Sequence, residues 1–371
     1  MPADPGLSCP GNLRRLKKRP HRFGQTQGAK FSFLICARKH PRAYGRPGAR
    51  GDCRKMSAGA ACTKGTWFMK QNLLGNTGIR VSEIGLGCAS MWGMQSFSES
   101  TAIDIFLEAA EAGVTLFDTG HNYSGGNAEI RLGRAIRRLK SRDGLVLSSK
   151  CGTRARGGGR FYKDFSPAWI RESCKQSLDR IGVDHLDLFM FHSPSPEHLT
   201  DEAMAALCDL KSQGLVRAVG ISNPGGQVLR RVEEKGEFDF VLMNYSIMNR
   251  DAGGAIGRLR AKGVGVIAGG CLAHGLYSGK ILRIRRPRDL WYLARALVRF
   301  REQFIRGFSY RFVDHTPGMT GAQVALRFVL DNPDISAAVF GTTSLEHLRA
   351  NLATRDLQMP QAVLSRILAA K

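Results

Sequence analysis

A chain of 371 residues, 43% hydrophobic and 23% charged, has the composition of a globular protein and the length for one large α/β domain or two ordinary ones. No apolar run approaches the ~20 residues that cross a bilayer, and the longest near the start, Phe31-Ser32-Phe33-Leu34-Ile35-Cys36-Ala37, has no signal-peptide cleavage pattern after it, so neither a membrane span nor a secretory leader is expected. The formal net charge of +24 invites a nucleic-acid reading, yet residues 1–68 hold 15 Lys and Arg against 2 acidic residues and the remaining 303 hold 40 against 29, which puts over half the excess in the first fifth.

Residues 1–68 show no sustained helix or strand period, and basic clusters such as Arg14-Arg15-Leu16-Lys17-Lys18-Arg19 stand among Gly and Pro. They are expected to form a basic, disordered extension. A nucleic-acid-binding arm and an organelle-targeting peptide are weighed against a third reading, which is favoured: translation starts at Met69 and the segment is no part of the functional protein. The nine cysteines are scattered without a C-x-x-C pair or nearby His spacing, which argues against a zinc site or a disulfide framework and for a reducing, cytoplasmic compartment.

Ordered-looking sequence begins at Met69. Asn72 to Val81 reads as a hairpin turning at Asn76-Thr77-Gly78. Strands and helices then alternate. Ile84 to Ala89 is a strand, Thr101 to Ala112 a helix stopped by Gly113, Leu116-Phe117 a strand, Ile130 to Leu139 a helix and Leu145 to Lys150 a strand. Ser166-Pro167 is a helix start, a capping serine before a first-turn proline, and that helix buries Ile170, Cys174, Leu178 and Ile181. Further strands are expected at Leu186–Phe191, Val216–Ile221, Phe238–Tyr245, Val264–Ala268 and Ile335–Phe340. Eight uninterrupted apolar strands with helical segments between them predict a (β/α)8 TIM barrel over 69–371, with an N-terminal hairpin and a long insertion after strand 7. The runner-up, an open Rossmann sheet, lacks its fingerprint: Gly85-Leu86-Gly87-Cys88-Ala89-Ser90 has no third glycine and leads into Met91-Trp92-Gly93.

Barrel chemistry sits at the C-terminal ends of the strands, where the sequence puts Asp118, Lys150, His192, Ser222-Asn223 and Gly341-Thr342-Thr343. Tyr123 follows Asp118 by five residues in a glycine-rich loop. A free tyrosine is a poor acid near neutrality, but a lysine ammonium beside it stabilises the phenolate. An aspartate would hold that lysine, and a histidine would orient a carbonyl oxygen. Such a group suits protonation of an oxygen that becomes an alkoxide as hydride reaches carbon.

These residues resemble the aldo-keto reductase superfamily. Its D-T-A-x-x-Y-G-x-G-x-x-E pattern is similar to Asp118-Thr119-Gly120-His121-Asn122-Tyr123-Ser124-Gly125-Gly126-Asn127-Ala128-Glu129, followed by Leu132-Gly133-Arg134-Ala135. His192-Ser193-Pro194, Val219-Gly220-Ile221-Ser222-Asn223 and Gly341 to Asn351 continue the match. The resemblance implies reduction of an aldehyde or ketone by NAD(P)H, or the reverse, with a small-molecule substrate and neither nucleic acid nor membrane as partner. A regulatory subunit that binds cofactor with little turnover is the alternative.

By the same resemblance Tyr123 is the general acid/base, Lys150 and Asp118 tune it, and His192 orients the substrate. Ser222 and Asn223 meet the nicotinamide carboxamide, and Leu272 lies in the segment covering the pyrophosphate. Gly341, Thr342, Thr343 and His347 surround the adenosine phosphate, Asn351 meets the adenine, and Trp92 faces the substrate pocket. Three positions depart from the pattern: Leu242 replaces a carboxamide-binding glutamine, Gly269 a stacking aromatic, and Gly341 and His347 the usual basic residues around a 2′-phosphate, with Arg349 nearby. NADP(H) is expected over NAD(H) on family habit. The connection Leu282 to Pro317, with Arg283, Arg285, Arg286, Arg288, Trp291 and Tyr292, is read first as an amphipathic helix with a solvated basic face and second as a cover that favours anionic substrates.

Overall fold

The computed structural model describes residues 69–157, 160–279, 293–294, 297–298 and 300–370. The basic segment 1–68 and the arginines and aromatics singled out between Arg283 and Tyr292 lie outside the described residues.

A short hairpin, β1 (Gln71–Leu73) and β2 (Arg80–Ser82), opens the described chain. The barrel strands are β3 (Ile84–Gly87), β4 (Leu116–Asp118), β5 (Val146–Cys151), β8 (Leu186–His192), β9 (Val216–Ser222), β10 (Phe240–Asn244), β11 (Gly265–Gly269) and β12 (Ala337–Phe340). They run parallel in sequence order, and β12 pairs back onto β3 to close the ring. The hairpin β6 (Thr153–Gly157) and β7 (Arg160–Lys163) stands apart from it.

The helices are α1 (Ser90–Gly93), α2 (Glu99–Glu111), α3 (Asn127–Ile136), α4 (Pro167–Ile181), α5 (Asp201–Ser212), α6 (Gly226–Lys235), α7 (Gly253–Ala261), α8 (Arg301–Gly307), α9 (Gly321–Leu330), α10 (Leu345–Leu352) and α11 (Gln361–Ala369). The Ser166-Pro167 signal is realised as expected, with Ser166 Oγ accepting from Trp169 N–H and Ile170, Cys174, Leu178 and Ile181 all buried. Helix α3 begins three residues before the apolar period that marked it, directly after a left-handed Gly126.

Two apolar cores follow from strand alternation. Leu116, Val146, Leu188, Met190, Ala218, Phe240, Leu242, Ile267, Ala337 and Val339 fill the barrel, and Leu74, Ile79 and Val81 of the β1–β2 segment join them. The intervening residues, such as Leu147, Phe189, Phe191 and Val241, face the helices. Alternation therefore aims Asp118, Lys150, His192, Ser222, Asn244 and Gly269 inward at the C-terminal rim, one or two steps beyond the apolar fill. That register places the site.

Helix α3 meets α4 almost without a gap. A Cβ on Gly133 would stand 2.2 Å from Ile181 O, so glycine is needed there to let the two helices touch. Cys88, Cys151, Cys174 and Cys271 are buried free thiols. Burial pushes each of them above the ordinary thiol value and keeps them from acting as thiolates.

Candidate active site

The loop between β4 and α3 is built to present one tyrosine. Tyr123 N–H donates to Gly120 O at 2.9 Å, and Ser124, Gly125 and Gly126 then take φ of 51°, 66° and 92°. Glycines serve two of these three left-handed steps at little cost. The loop is held from below by a buried charge network. Glu129, fully buried, accepts from Ser149 Oγ at 2.7 Å and from Arg180 Nη1 at 3.1 Å, and the same guanidinium donates to His121 O at 2.9 Å. His121 packs edge-on against Trp169 and pairs through Nε2 with Gln176. Sequence reading missed this layer because its residues are neighbours only after α4 folds back along α3.

Above it lie the four residues marked by the sequence. Lys150 is 3% exposed, and its Nζ donates to both Asp118 carboxylate oxygens at 2.7 Å and to Thr119 O at 2.5 Å. Ser148 Oγ donates to the same carboxylate at 2.7 Å. The Lys150 ammonium stands 5.2 Å from the centre of the Tyr123 ring, and the Tyr123 and His192 rings meet edge-to-face with centroids 5.8 Å apart. Burial alone would pull Lys150 down, but the Asp118 carboxylate and the Tyr123 hydroxyl outweigh it and hold the ammonium above its ordinary value. The lysine is therefore charged.

His192 is the opposite case. Burial, with the cations Lys150 and Lys163 nearby, lowers it from 6.5 to about 3, so its imidazole is neutral across the physiological range. Its Nδ1 is buried without a hydrogen-bond partner among the described residues. A depressed histidine contributes fully to stability above its unfolded value and progressively less as pH falls from about 6.5 toward 3. The expected loss by pH 5 is about 2 kcal/mol at ~1.4 kcal/mol per unit. Denaturant unfolding at pH 7 and pH 5 checks this: His192→Gln should flatten the difference, and an unchanged difference refutes it.

The candidate cofactor positions divide. Ser222 is completely buried and its Oγ has no partner among the described residues, an orphaned hydroxyl at the inner rim. Asn223 beside it is exposed with φ 48°. Gly341, Thr343 and His347 are exposed and Thr342 half-buried, at the start of α10, where Ser344 Oγ caps His347 N–H. Leu272 is half-buried against the core, and Asn351 is only 3% exposed. The free rim and the orphaned donor fit an amide-bearing ring with a phosphate tail.

Two expectations change here. Trp92, expected to face the pocket, is 2% exposed and packs into the core, so it offers almost no surface to a substrate. Arg349, expected as the cation near a 2′-phosphate, is held by Glu108 at 2.6 and 2.8 Å.

The sequence reading also passed over two rim residues. Asn244, exposed, lies above Leu242 on the inner face of β10, against the backbone of Gly269 and Gly270. Lys163 ends the β6–β7 hairpin and donates to His192 O at 2.6 Å. The glycine run 157–159 between Arg154-Ala155-Arg156 and Arg160-Phe161-Tyr162 was the available signal for that hairpin. Among the described residues no cluster of three or more His, Cys, Asp or Glu could hold a metal, and no helix is long and apolar enough to cross a membrane.

A family model described as the aldo/keto reductase family matches residues 83–371. The chain belongs to the aldo/keto reductase family. As a member of that family it is an oxidoreductase. It is similar to the NADH-specific methylglyoxal reductase of Escherichia coli K12, 30% identical over 319 residues covering 79% of this chain and 96% of that one. It is also similar to the L-galactose dehydrogenase of Arabidopsis thaliana, 28% identical over 310 residues, 79% of this chain and 92% of that one. Among solved structures, the holo form of an aldo-keto reductase from Bacillus halodurans superposes with a TM-score of 0.68 at 28% identity, covering 82% of this chain and 97% of that one. A glycerol dehydrogenase from Gluconobacter oxydans shares the fold with a TM-score of 0.66 at 20% identity, over 80% of this chain and 93% of its own.

Proposed function

We propose that this family member reduces a small aldehyde or ketone to the alcohol, or runs the reverse reaction, with Tyr123 as proton donor. The observation that carries the reading is the Lys150 ammonium, charged, held by both Asp118 oxygens at 2.7 Å, and standing over the Tyr123 ring. Tyr123 gives its proton to the carbonyl oxygen, and the cation beside it stabilises the phenolate left behind. Asp118 keeps that cation charged and fixed. Neutral His192 donates a hydrogen bond from its imidazole to the same oxygen and does not compete for the proton, because it titrates far below the working pH.

When bound, a reduced nicotinamide supplies the hydride. Ser222 Oγ would satisfy its carboxamide, with Asn223 and Asn244 alongside. Gly341, Thr342, Thr343 and the N–H groups opening α10 would receive its phosphates, with Leu272 over the pyrophosphate and His347 and Asn351 toward the adenosine. The expectation of NADP(H) gains no support. Glu108 claims Arg349 and would repel a 2′-phosphate dianion, and the Escherichia coli relative is named for NADH. We therefore favour NADH. We further assign 69–371 to the reductase domain and 1–68 to a basic extension, and place the protein in a reducing compartment. Following cofactor absorbance at 340 nm with NADH and with NADPH against aldehydes, ketones and quinones tests the reading. No turnover with either cofactor on any of them overturns it.

A further inference from the structure

At the rim of the barrel Lys163 is a cation without a counter-charge among the described residues. Asp118 and Lys150 neutralise one another, and Glu129 is matched by Arg180. Asp164 is turned to Arg154 at 3.0 Å and to the Ser166 cap. Lys163, next to Asp164 in the chain, has no carboxylate within reach among the described residues. Its Nζ donates to His192 O at 2.6 Å, lies 3.5 Å from Thr153 Oγ1 and 6.0 Å from the centre of the Phe165 ring. Those acceptors are neutral, and an ammonium has three N–H groups.

The position of this cation is fixed by topology. Hairpin β6–β7 follows β5 after a single left-handed residue, Gly152, so it rises from the strand end that carries Lys150. Lys163 then ties the hairpin to the end of β8, at His192, the residue whose ring meets Tyr123. Its charge reaches the His192 imidazole, and partial burial pulls Lys163 itself below the ordinary lysine value. Arg156 and Arg160, exposed on the same hairpin, have no ion-pair partner among the described residues and add to the positive field over the rim. Lys163 is an exposed side chain, held in place by its bond to His192 O, and an ammonium tethered there without a counter-charge among the described residues has N–H groups left for an anion.

We propose that Lys163 anchors an anionic group on the substrate, so that the preferred substrates are small carbonyl compounds bearing a carboxylate or a phosphate. The proposal rests on the carbonyl-reduction reading for its chemistry. Its charge recognition can be measured separately.

The experiment compares kcat/KM for matched pairs, 4-carboxybenzaldehyde with benzaldehyde and glyceraldehyde 3-phosphate with glyceraldehyde, in the full chain and in Lys163→Met and Lys163→Arg. The wild type is expected to prefer the charged member of at least one pair, and which pair shows the preference identifies carboxylate or phosphate. In Lys163→Met the charged-to-neutral ratio should fall about 10- to 100-fold, the usual worth of a charge-assisted hydrogen bond, mainly through KM. Lys163→Arg should restore most of it. If Lys163 only tethers the hairpin, both members fall together and the ratio stays constant, which overturns the proposal, as does a wild type that prefers the neutral member of both pairs. If no carbonyl is reduced at all, the reduction reading fails by itself, and calorimetric titration with 4-(hydroxymethyl)benzoate still decides the anion site. Binding weakened in Lys163→Met upholds the site, and equal or absent binding overturns it.

Discussion

Replacing Lys150 with methionine is expected to destabilise the protein by about 3 kcal/mol or more and to remove turnover, because the change strands a charge. Asp118 keeps its place at the rim, 8% exposed, but loses both 2.7 Å bonds from the ammonium and is left with Ser148 Oγ as its side-chain donor. Breaking a buried ion pair from one side typically costs 3–5 kcal/mol, whereas removing both charges together is often close to neutral. The double variant Asp118→Asn/Lys150→Met is therefore expected to recover most of the lost stability in urea unfolding at pH 7, yet none of the activity. Stability and chemistry then separate: the pair as a whole is not what holds the barrel together, and the lysine charge is what the reaction needs. A single variant as stable as the double would show that Asp118 does not depend on Lys150, and recovered turnover in the double variant would remove the lysine from the mechanism.

The barrel was legible in the sequence because its signals are local. The core strands are apolar runs, several of them closed by a polar residue at the C-terminal end, and Ser166-Pro167 caps a helix by chemistry confined to four residues. The rim quartet was legible for a similar reason: Asp118 and His192 end their strands and Lys150 stands one residue before the end of β5, so knowing the strands locates the residues. What stayed hidden depends on inter-element geometry. Trp92 looked like a pocket residue by its position after the first strand, but α1 packs against α3 and takes the indole into the core. Lys163 could not be distinguished from any other lysine of a basic stretch, since its meaning comes from a 2.6 Å bond to a carbonyl 29 residues away. Arg349 read as an available cation because its partner, Glu108, lies 241 residues earlier in the chain. Charge balance is a property of the assembled rim, and no spacing rule encodes it.

Tyr123→Phe isolates the proton from everything that surrounds it. The ring keeps its edge contact with His192 and its place over Lys150, and no packing volume is lost beyond one hydroxyl. Fold stability and cofactor affinity, read by urea unfolding and by quenching of protein fluorescence, are therefore expected to stay close to wild type. Turnover is not: removing a positioned general acid costs about 10²- to 10⁴-fold, and the loss should fall on kcat, since the hydroxyl is needed where charge develops on the oxygen. Full turnover in this variant would mean that another group supplies the proton. His192 is a poor candidate for that part, because a group held neutral down to about pH 3 has no proton to spare as an imidazolium near neutrality. The same half-buried position beside two cations that disqualifies His192 as an acid suits it as a neutral donor to the oxygen. The two rings, 5.8 Å apart, thus differ in their environments: the tyrosine has the Lys150 ammonium 5.2 Å from its ring centre, and the half-buried histidine stands near two cations that oppose its protonation.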